Sequence, residues 1–138
     1  MIRPTRLYKS VNLALSAIFA AVGLLFLFAP DRVLVFFNSL SEFIGMVPTP
    51  TEGVGFYLIL AVAYMYVVAL LAFLISRYPT NHQLLFVLIN AKLASSLLSF
   101  AFFFALHPYL IFLTNGIVDG VIAGGLLYLR SITKGLSS

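Results

Sequence analysis

The sequence predicts an all-α integral membrane protein, built as a four-helix antiparallel bundle with an extra amphipathic interfacial helix between spans 1 and 2. Hydrophobic residues make up 62% of the 138 residues and charged residues 9%, against about 45–50% and about 25% in soluble domains. Eight basic and four acidic side chains are too few to coat a water-facing globule of this size, which excludes a soluble fold. The length indicates a single transmembrane domain over residues 1–138.

Four segments carry the roughly 20 apolar residues that are needed to cross about 30 Å of hydrocarbon. The predicted spans are 11–29, 54–75, 84–106 and 109–129. The first is interpreted as a retained helix, because its apolar run is longer than the hydrophobic region of a signal peptide. His107 and Pro108 leave room only for a tight turn, so spans 3 and 4 are expected to be antiparallel neighbours.

The connection between spans 1 and 2 has its own helical pattern over about residues 31–47. Its apolar residues recur at helical spacing, and its polar residues fall mostly on the opposite face. This pattern is typical of an amphipathic helix that lies in the membrane interface or closes the end of a bundle. Two roles remain open: a lipid-anchored connector, or a gate over a ligand cavity.

The distribution of charge predicts the orientation. With four spans, both termini and the 76–83 loop share one side, which carries basic residues and no acidic one: Arg3, Arg6, Lys9, Arg77, Arg130 and Lys134. The other side holds Arg32 with Asp31, Glu42 and Glu52. The positive-inside rule therefore predicts a plasma or inner membrane protein with both termini in the cytoplasm.

Two ionisable side chains fall well inside predicted spans, Lys92 in span 3 and Asp119 in span 4. At a rise of about 1.5 Å per residue they lie roughly 12 and 15 Å from the same end of adjacent helices. An isolated charge at mid-bilayer costs on the order of 2.5–3.5 kcal/mol, so we expect the two to pair directly or through one water. Snorkelling of Lys92 to headgroups is the alternative for that residue alone.

Polar residues surround this pair and complete a predicted intramembrane cluster. Ser95, Ser96 and Ser99 share the helix face of Lys92, Asn115 shares that of Asp119, and Tyr64 near the middle of span 2 could donate a hydrogen bond toward them. We expect Ser95, Ser96 or Asn115 to satisfy the remaining donors and acceptors of the pair, because hydrocarbon offers none. The cluster is either a structural latch or a proton, ion or ligand site.

Small residues favour close packing of span 4. Gly116, Gly120 and Gly124 recur every four residues, a spacing that lets helix backbones approach one another. These glycines are therefore predicted to be helix-packing positions.

Several kinds of site find no support in the sequence. His82 and His107 both fall at span ends, which makes a haem with two histidine ligands within the spans unexpected, and no motif indicates a metal or catalytic centre. The basic residues form no dense patch for nucleic acid. We therefore predict no catalytic residues, no metal and no required cofactor, with a quinone or a lipid as the conceivable ligand.

The segment Gly23-Leu24-Leu25-Phe26-Leu27-Phe28-Ala29-Pro30, the short basic N-terminal stretch and the compact four-span layout resemble small DoxX-like prokaryotic membrane proteins. Some members of that group are linked to quinone-dependent redox systems. The resemblance implies a four-helix fold and carries no quinone-site residue to this chain.

Three functions are consistent with these observations. The first is a non-catalytic accessory or scaffold subunit of a membrane assembly, with lipids and protein partners or further copies of itself around it. The second is a lipid- or quinone-binding protein with a polar pocket among Tyr64, Lys92, Ser96, Asn115 and Asp119. The third is a small oligomeric transporter.

Overall fold

The structure, a computed structural model, describes residues 4–134 and is helical throughout its regular elements. In this part of the chain the helices are α1 Pro4–Phe28, α2 Pro30–Phe43, α3 Gly55–Arg77, α4 His82–Ala105 and α5 Leu110–Lys134. All but α2 are long and apolar enough to cross a membrane. The prediction of a four-span helical membrane protein with an added helix after span 1 is confirmed. Arg3 lies outside the described residues.

Helix α2 is shorter than the predicted 31–47 segment. Pro30 occupies its first turn, where the missing N–H costs no hydrogen bond. The helix ends at Phe43 because Gly45 adopts a φ of 73°, a left-handed conformation that glycine accepts readily. The N–H of Met46 then donates to the carbonyl of Ser41 at 2.7 Å, which closes the helix end.

The connections between the later helices are short. The side chain of Asn81 accepts hydrogen bonds from the N–H groups of Gln83 and Leu84, which caps the first turn of α4. Residues 106–109 join α4 to α5, and the N–H of His107 donates to the backbone carbonyl of Phe102 at 2.9 Å. This turn makes α4 and α5 an antiparallel pair, as the sequence predicts.

The four long helices associate as two pairs. Helix α1 packs along α3, and α4 packs along α5, while α3 and α4 join the pairs over a smaller area. Between α1 and α3, the Ser16 hydroxyl donates to the Ala69 carbonyl at 2.8 Å, and Gly23 lies against Met65. Later residues of α1 thus meet earlier residues of α3, so these helices are also antiparallel.

The apolar core lies in the half of the bundle nearest the start of α1 and the end of α5. Here all four long helices meet around fully buried residues such as Val68, Ala72, Leu88 and Leu126. Tyr8 and Leu129 join the same cluster, so the start of α1 and the end of α5 lie at one end of the bundle. We call this region the terminal half and define it as residues 8–19, 68–76, 85–92 and 119–129.

Candidate ligand-binding groove and polar cluster

Lys92 and Asp119 contact each other directly in the middle of the bundle. The Lys92 Nζ lies 2.9 Å from Asp119 Oδ1, and the two side chains are 1% and 3% exposed. The tight α4–α5 turn brings them to the same depth on facing helices. Each charge therefore supplies the partner that hydrocarbon cannot.

Two aromatic rings also face the Lys92 ammonium. Its Nζ lies 4.2 Å from the centre of the Phe19 ring and 5.2 Å from that of the Tyr64 ring, within the range of favourable cation–π contacts. The pair on α4 and α5 is thereby enclosed by α1 and α3. The sequence does not identify Phe19 as part of this site, because nothing in the pattern of α1 distinguishes it from lipid-facing aromatic residues.

The expectation that neighbouring serines or Asn115 satisfy the pair is wrong. The Ser96 hydroxyl donates to the Gly116 carbonyl at 2.6 Å, and the Asn115 amide donates to Ser95 and Ser99 at 3.0 and 2.8 Å. Asn115 lies one helical turn before Asp119 on α5. Because α4 runs antiparallel to α5, the residues of α4 that face Asn115 are Ser95 and Ser99, which follow Lys92 along α4. Within residues 4–134, the buried Oδ2 of Asp119 has no hydrogen-bond partner.

Tyr64 links α3 to α4 at this level. Its hydroxyl donates to the backbone carbonyl of Ala91 at 3.1 Å, one residue before Lys92. The hydroxyl thus bonds the main chain beside the predicted cluster, while the ring faces the ammonium.

Two of the three predicted packing glycines lie at close approaches. A Cβ on Gly120 would fall 3.0 Å from the Ser96 hydroxyl, and one on Gly116 would fall 3.1 Å from the Phe100 ring. Gly124 is exposed, and a Cβ there would meet nothing within 4 Å. The prediction for Gly124 is therefore wrong within this chain, because the close approaches on this face of α5 reach Gly116 and Gly120 and leave Gly124 exposed.

An open groove of about 1000 Å³ lies on the far side of the polar cluster from the core. Its walls come from α3, α4 and α5 and are mainly apolar, with Leu58, Leu60, Leu98, Phe102, Ile111 and Phe112. We call this region the groove half and define it as residues 26–34, 54–65 and 95–115.

The polar side chains of the groove lie at its two ends. Its inner end, which we call the floor, carries Tyr64, Ser95, Ser99 and Asn115. Its outer end, the mouth, carries Tyr57, His107 and Tyr109, with Leu34 of α2 beside them. The groove thus combines a polar floor at mid-span with apolar walls and a polar mouth.

The groove replaces the pocket that the sequence suggests. Tyr64 and Asn115 line it as expected, whereas Lys92, Ser96 and Asp119 do not and lie behind its floor. The residues at the mouth are missing from the sequence prediction, since only the packing of α2 and the α4–α5 turn around α3 brings them together. Among the described residues, no three His, Asp or Glu side chains are grouped closely enough to hold a metal ion.

Comparisons with known proteins identify no relative of this chain. No protein-family model, no curated protein and no solved structure matches the chain. The resemblance to small DoxX-like proteins gains no support from them.

Proposed function

We propose that this small multi-pass membrane protein binds a neutral amphiphile whose head carries hydrogen-bond acceptor oxygens, the chemistry shared by quinones and uncharged glycerolipids. The observation that supports this most is the groove of about 1000 Å³ with a polar floor at mid-span. Small-molecule pockets typically measure about 300–1,000 Å³, with apolar walls and a few polar groups.

The chemistry of the floor favours a neutral head. Ser95 and Ser99 both accept hydrogen bonds from Asn115, and Ser95 also hydrogen-bonds the Tyr64 hydroxyl. The proton of the Ser99 hydroxyl is thus the one proposed to be donated to a ligand oxygen. The two charges of the cluster neutralise each other behind the floor. A neutral head can therefore enter without a charged group losing its hydration, and its apolar tail can follow the walls toward the lipid.

In this proposal the Lys92–Asp119 pair is a structural latch. The pair does not line the groove, and it fixes α4 against α5 one turn from Asn115. It thereby holds the floor in shape without touching the ligand.

The orientation in the membrane is part of the proposal. Tyr8, Ile75, Leu85 and Leu129 pack together, which puts both ends of the described chain beside the α3–α4 turn. Because the basic residues concentrate at this end, we propose that it faces the cytoplasm and that the groove mouth opens toward the outer side of a plasma or inner membrane.

Ligand retention tests the proposal. The purified protein in neutral detergent is incubated with decylubiquinone or, in a second arm, with a short-chain diacylglycerol. After gel filtration, the retained probe is extracted and counted by mass spectrometry. We expect the wild type to retain one of the two probes stoichiometrically and Ala61→Phe, which places a ring inside the groove, to lose most of it.

Val121→Phe is the matched control, since Val121 is 69% exposed and lies outside the groove. It should retain the probe like the wild type. Equal loss in both phenylalanine variants, or no retention of either probe by the wild type, would contradict a binding site in the groove.

A second candidate is an accessory or scaffold subunit, favoured by the exposed glycines of α5. A Cβ added to Gly124 or Gly125 would meet nothing within 4 Å, which leaves a face where another helix backbone can approach closely. Mild extraction from membranes followed by native mass spectrometry tests this role. Gly124→Leu should then shift the protein from a larger assembly to the single chain, whereas a wild type that runs as a single chain contradicts it.

A further inference from the structure

We propose a second binding site, for the phosphate headgroup of an anionic phospholipid, between Lys9 of α1 and Arg77 of α3. It lies at the end of the bundle where α1 begins and α5 ends, away from the groove. A separate cavity of about 670 Å³ is lined there by both cations together with Ser10 and Tyr78.

The antiparallel packing of α1 and α3 brings these two cations to the same level. The Ser16–Ala69 hydrogen bond fixes the register of the two helices. Moving about two turns along both helices from this bond, toward the termini, leads to Lys9 on α1 and Arg77 on α3. A phosphate group between them would meet two positive charges and nearby hydroxyl groups.

Within residues 4–134, no acidic side chain lies at this end of the bundle to balance the two charges. The sequence contains four acidic residues: Asp31, Glu42, Glu52 and Asp119. Asp119 is paired with Lys92 at mid-span, and the others belong to α2 and the segment after it, at the opposite end of the bundle. The Asp and Glu side chains of the described residues therefore leave the charge of Lys9 and Arg77 for an anionic ligand.

The surroundings favour a lipid over a free anion. Leu13 follows Lys9 by one turn, and Phe73 precedes Arg77 by one turn, so each helix presents an exposed apolar side chain about 6 Å deeper than its cation. The Arg77 guanidinium lies 5.9 Å from the centre of the Phe73 ring. This order of cation first and apolar surface below matches a phospholipid, whose headgroup leads into acyl chains.

Lipid titration tests this site. The full chain in neutral detergent is titrated with phosphatidylglycerol, phosphatidylcholine or inorganic phosphate, and bound molecules are counted by native mass spectrometry. We expect phosphatidylglycerol to bind in preference to phosphatidylcholine, and inorganic phosphate not to compete. Lys9→Gln and Arg77→Gln should each weaken phosphatidylglycerol binding by about fivefold.

Two further variants separate this effect from altered folding and from diffuse charge. Arg77→Lys keeps the charge and should retain most of the affinity. Arg32→Gln removes an exposed cation at the opposite end and should leave the affinity unchanged. Equal binding of the two phospholipids, equal loss in Arg32→Gln, or displacement by inorganic phosphate would each overturn the proposal. Groove binding is measured with other probes and variants, so either site can fail alone.

Discussion

The terminal half and the groove half are built from the same four long helices but pack in different ways. In the terminal half, Val68 of α3, Leu88 of α4 and Leu126 of α5 are all essentially inaccessible. In the groove half, Leu60 and Leu98 of the same helices are more than half exposed. Similar apolar segments thus give a close-packed core at one end and an open groove at the other, so apolar character alone does not decide where a bundle closes.

The difference arises from which helices meet at each level. In the terminal half both helix pairs contribute to one core. In the groove half Phe102 of α4 packs within its own helix pair, against Phe112 of α5 at 5.9 Å between ring centres. Phe100 likewise covers Gly116 of α5. With these rings turned toward α5, the space between α3 and α4 stays open.

The largest expected loss of stability follows from breaking the Lys92–Asp119 pair, which lies between the two halves. Asp119→Asn leaves the Lys92 ammonium buried without a counter-charge, and removal of one partner of a buried pair costs about 3–5 kcal/mol. We expect the lower end of this range, because the Phe19 and Tyr64 rings still face the ammonium. The free energy of unfolding in mild detergent measures the loss.

A double variant tests whether Lys92 and Asp119 stabilise the protein as a pair or independently of each other. Adding Lys92→Met to Asp119→Asn removes the unpaired charge and should recover part of the lost stability. If the two substitutions are simply additive, the contact at 2.9 Å does not stabilise the fold and the latch proposal is wrong.

Hydropathy and charge were sufficient to predict the spans, the added helix and the level at which Lys92 meets Asp119, because these depend on features local to each segment. The turn at His107 and Pro108 then fixes which helices are neighbours. The groove could not be predicted in the same way. Its shape depends on which way Phe100 and Phe102 turn, and both directions fit an apolar span equally well.

Contacts between the two helix pairs also could not be predicted from the sequence, because they depend on how the pairs pack together. Phe19 meets Lys92 only because α1 packs on α3 with Gly23 at Met65, a register that the sequence leaves undetermined. Gly124 shows the opposite error, since the spacing of three glycines predicts a continuous packing face, whereas the third glycine is exposed.

A matched pair of leucines on α4 tests the comparison itself. Leu88→Ala empties a site that is 0% exposed, whereas Leu98→Ala shortens a groove wall that is 59% exposed. We expect Leu88→Ala to cost about 2 kcal/mol, the low end for buried leucines, because lipid provides no hydrophobic transfer term. Leu98→Ala should change the free energy of unfolding by much less. Equal costs would mean that the groove half is packed as tightly as the terminal half.

Two glycines of α5 test the difference between packed and exposed positions within one helix. A methyl group at Gly120 would press on the Ser96 hydroxyl, which is already held by the Gly116 carbonyl, so Gly120→Ala should destabilise the protein by about 1 kcal/mol. Gly124→Ala meets open space and should be neutral or slightly stabilising, because alanine favours a helix. Thermal melts of both variants in the same detergent check the contrast. A destabilised Gly124→Ala would show that this face is packed, as it would be in an assembly.

The smallest loss of stability among the substitutions at packed or hydrogen-bonded positions is expected at the groove floor. Asn115→Leu removes the two hydrogen bonds to Ser95 and Ser99, whose hydroxyls can turn back to carbonyls of their own helix. Hydrogen bonds between membrane helices contribute about 0.6 kcal/mol each on average, and the serine hydroxyls recover part of the loss of two such bonds, so the free energy of unfolding should fall by less than about 1 kcal/mol. The same variant removes the amide that orients both serine hydroxyls, and the proposed amphiphile should lose most of its binding.

Asn90→Leu is the control for this last substitution, because Asn90 is an exposed amide on α4 that donates only to the Phe86 carbonyl of its own helix. It should change neither stability nor probe retention. If Asn115→Leu instead costs as much stability as Asp119→Asn, the floor belongs to the latch and the two halves are not separable. If stability falls slightly and retention stays at the wild-type level, the latch is distinct from the floor, but the floor does not bind the ligand head.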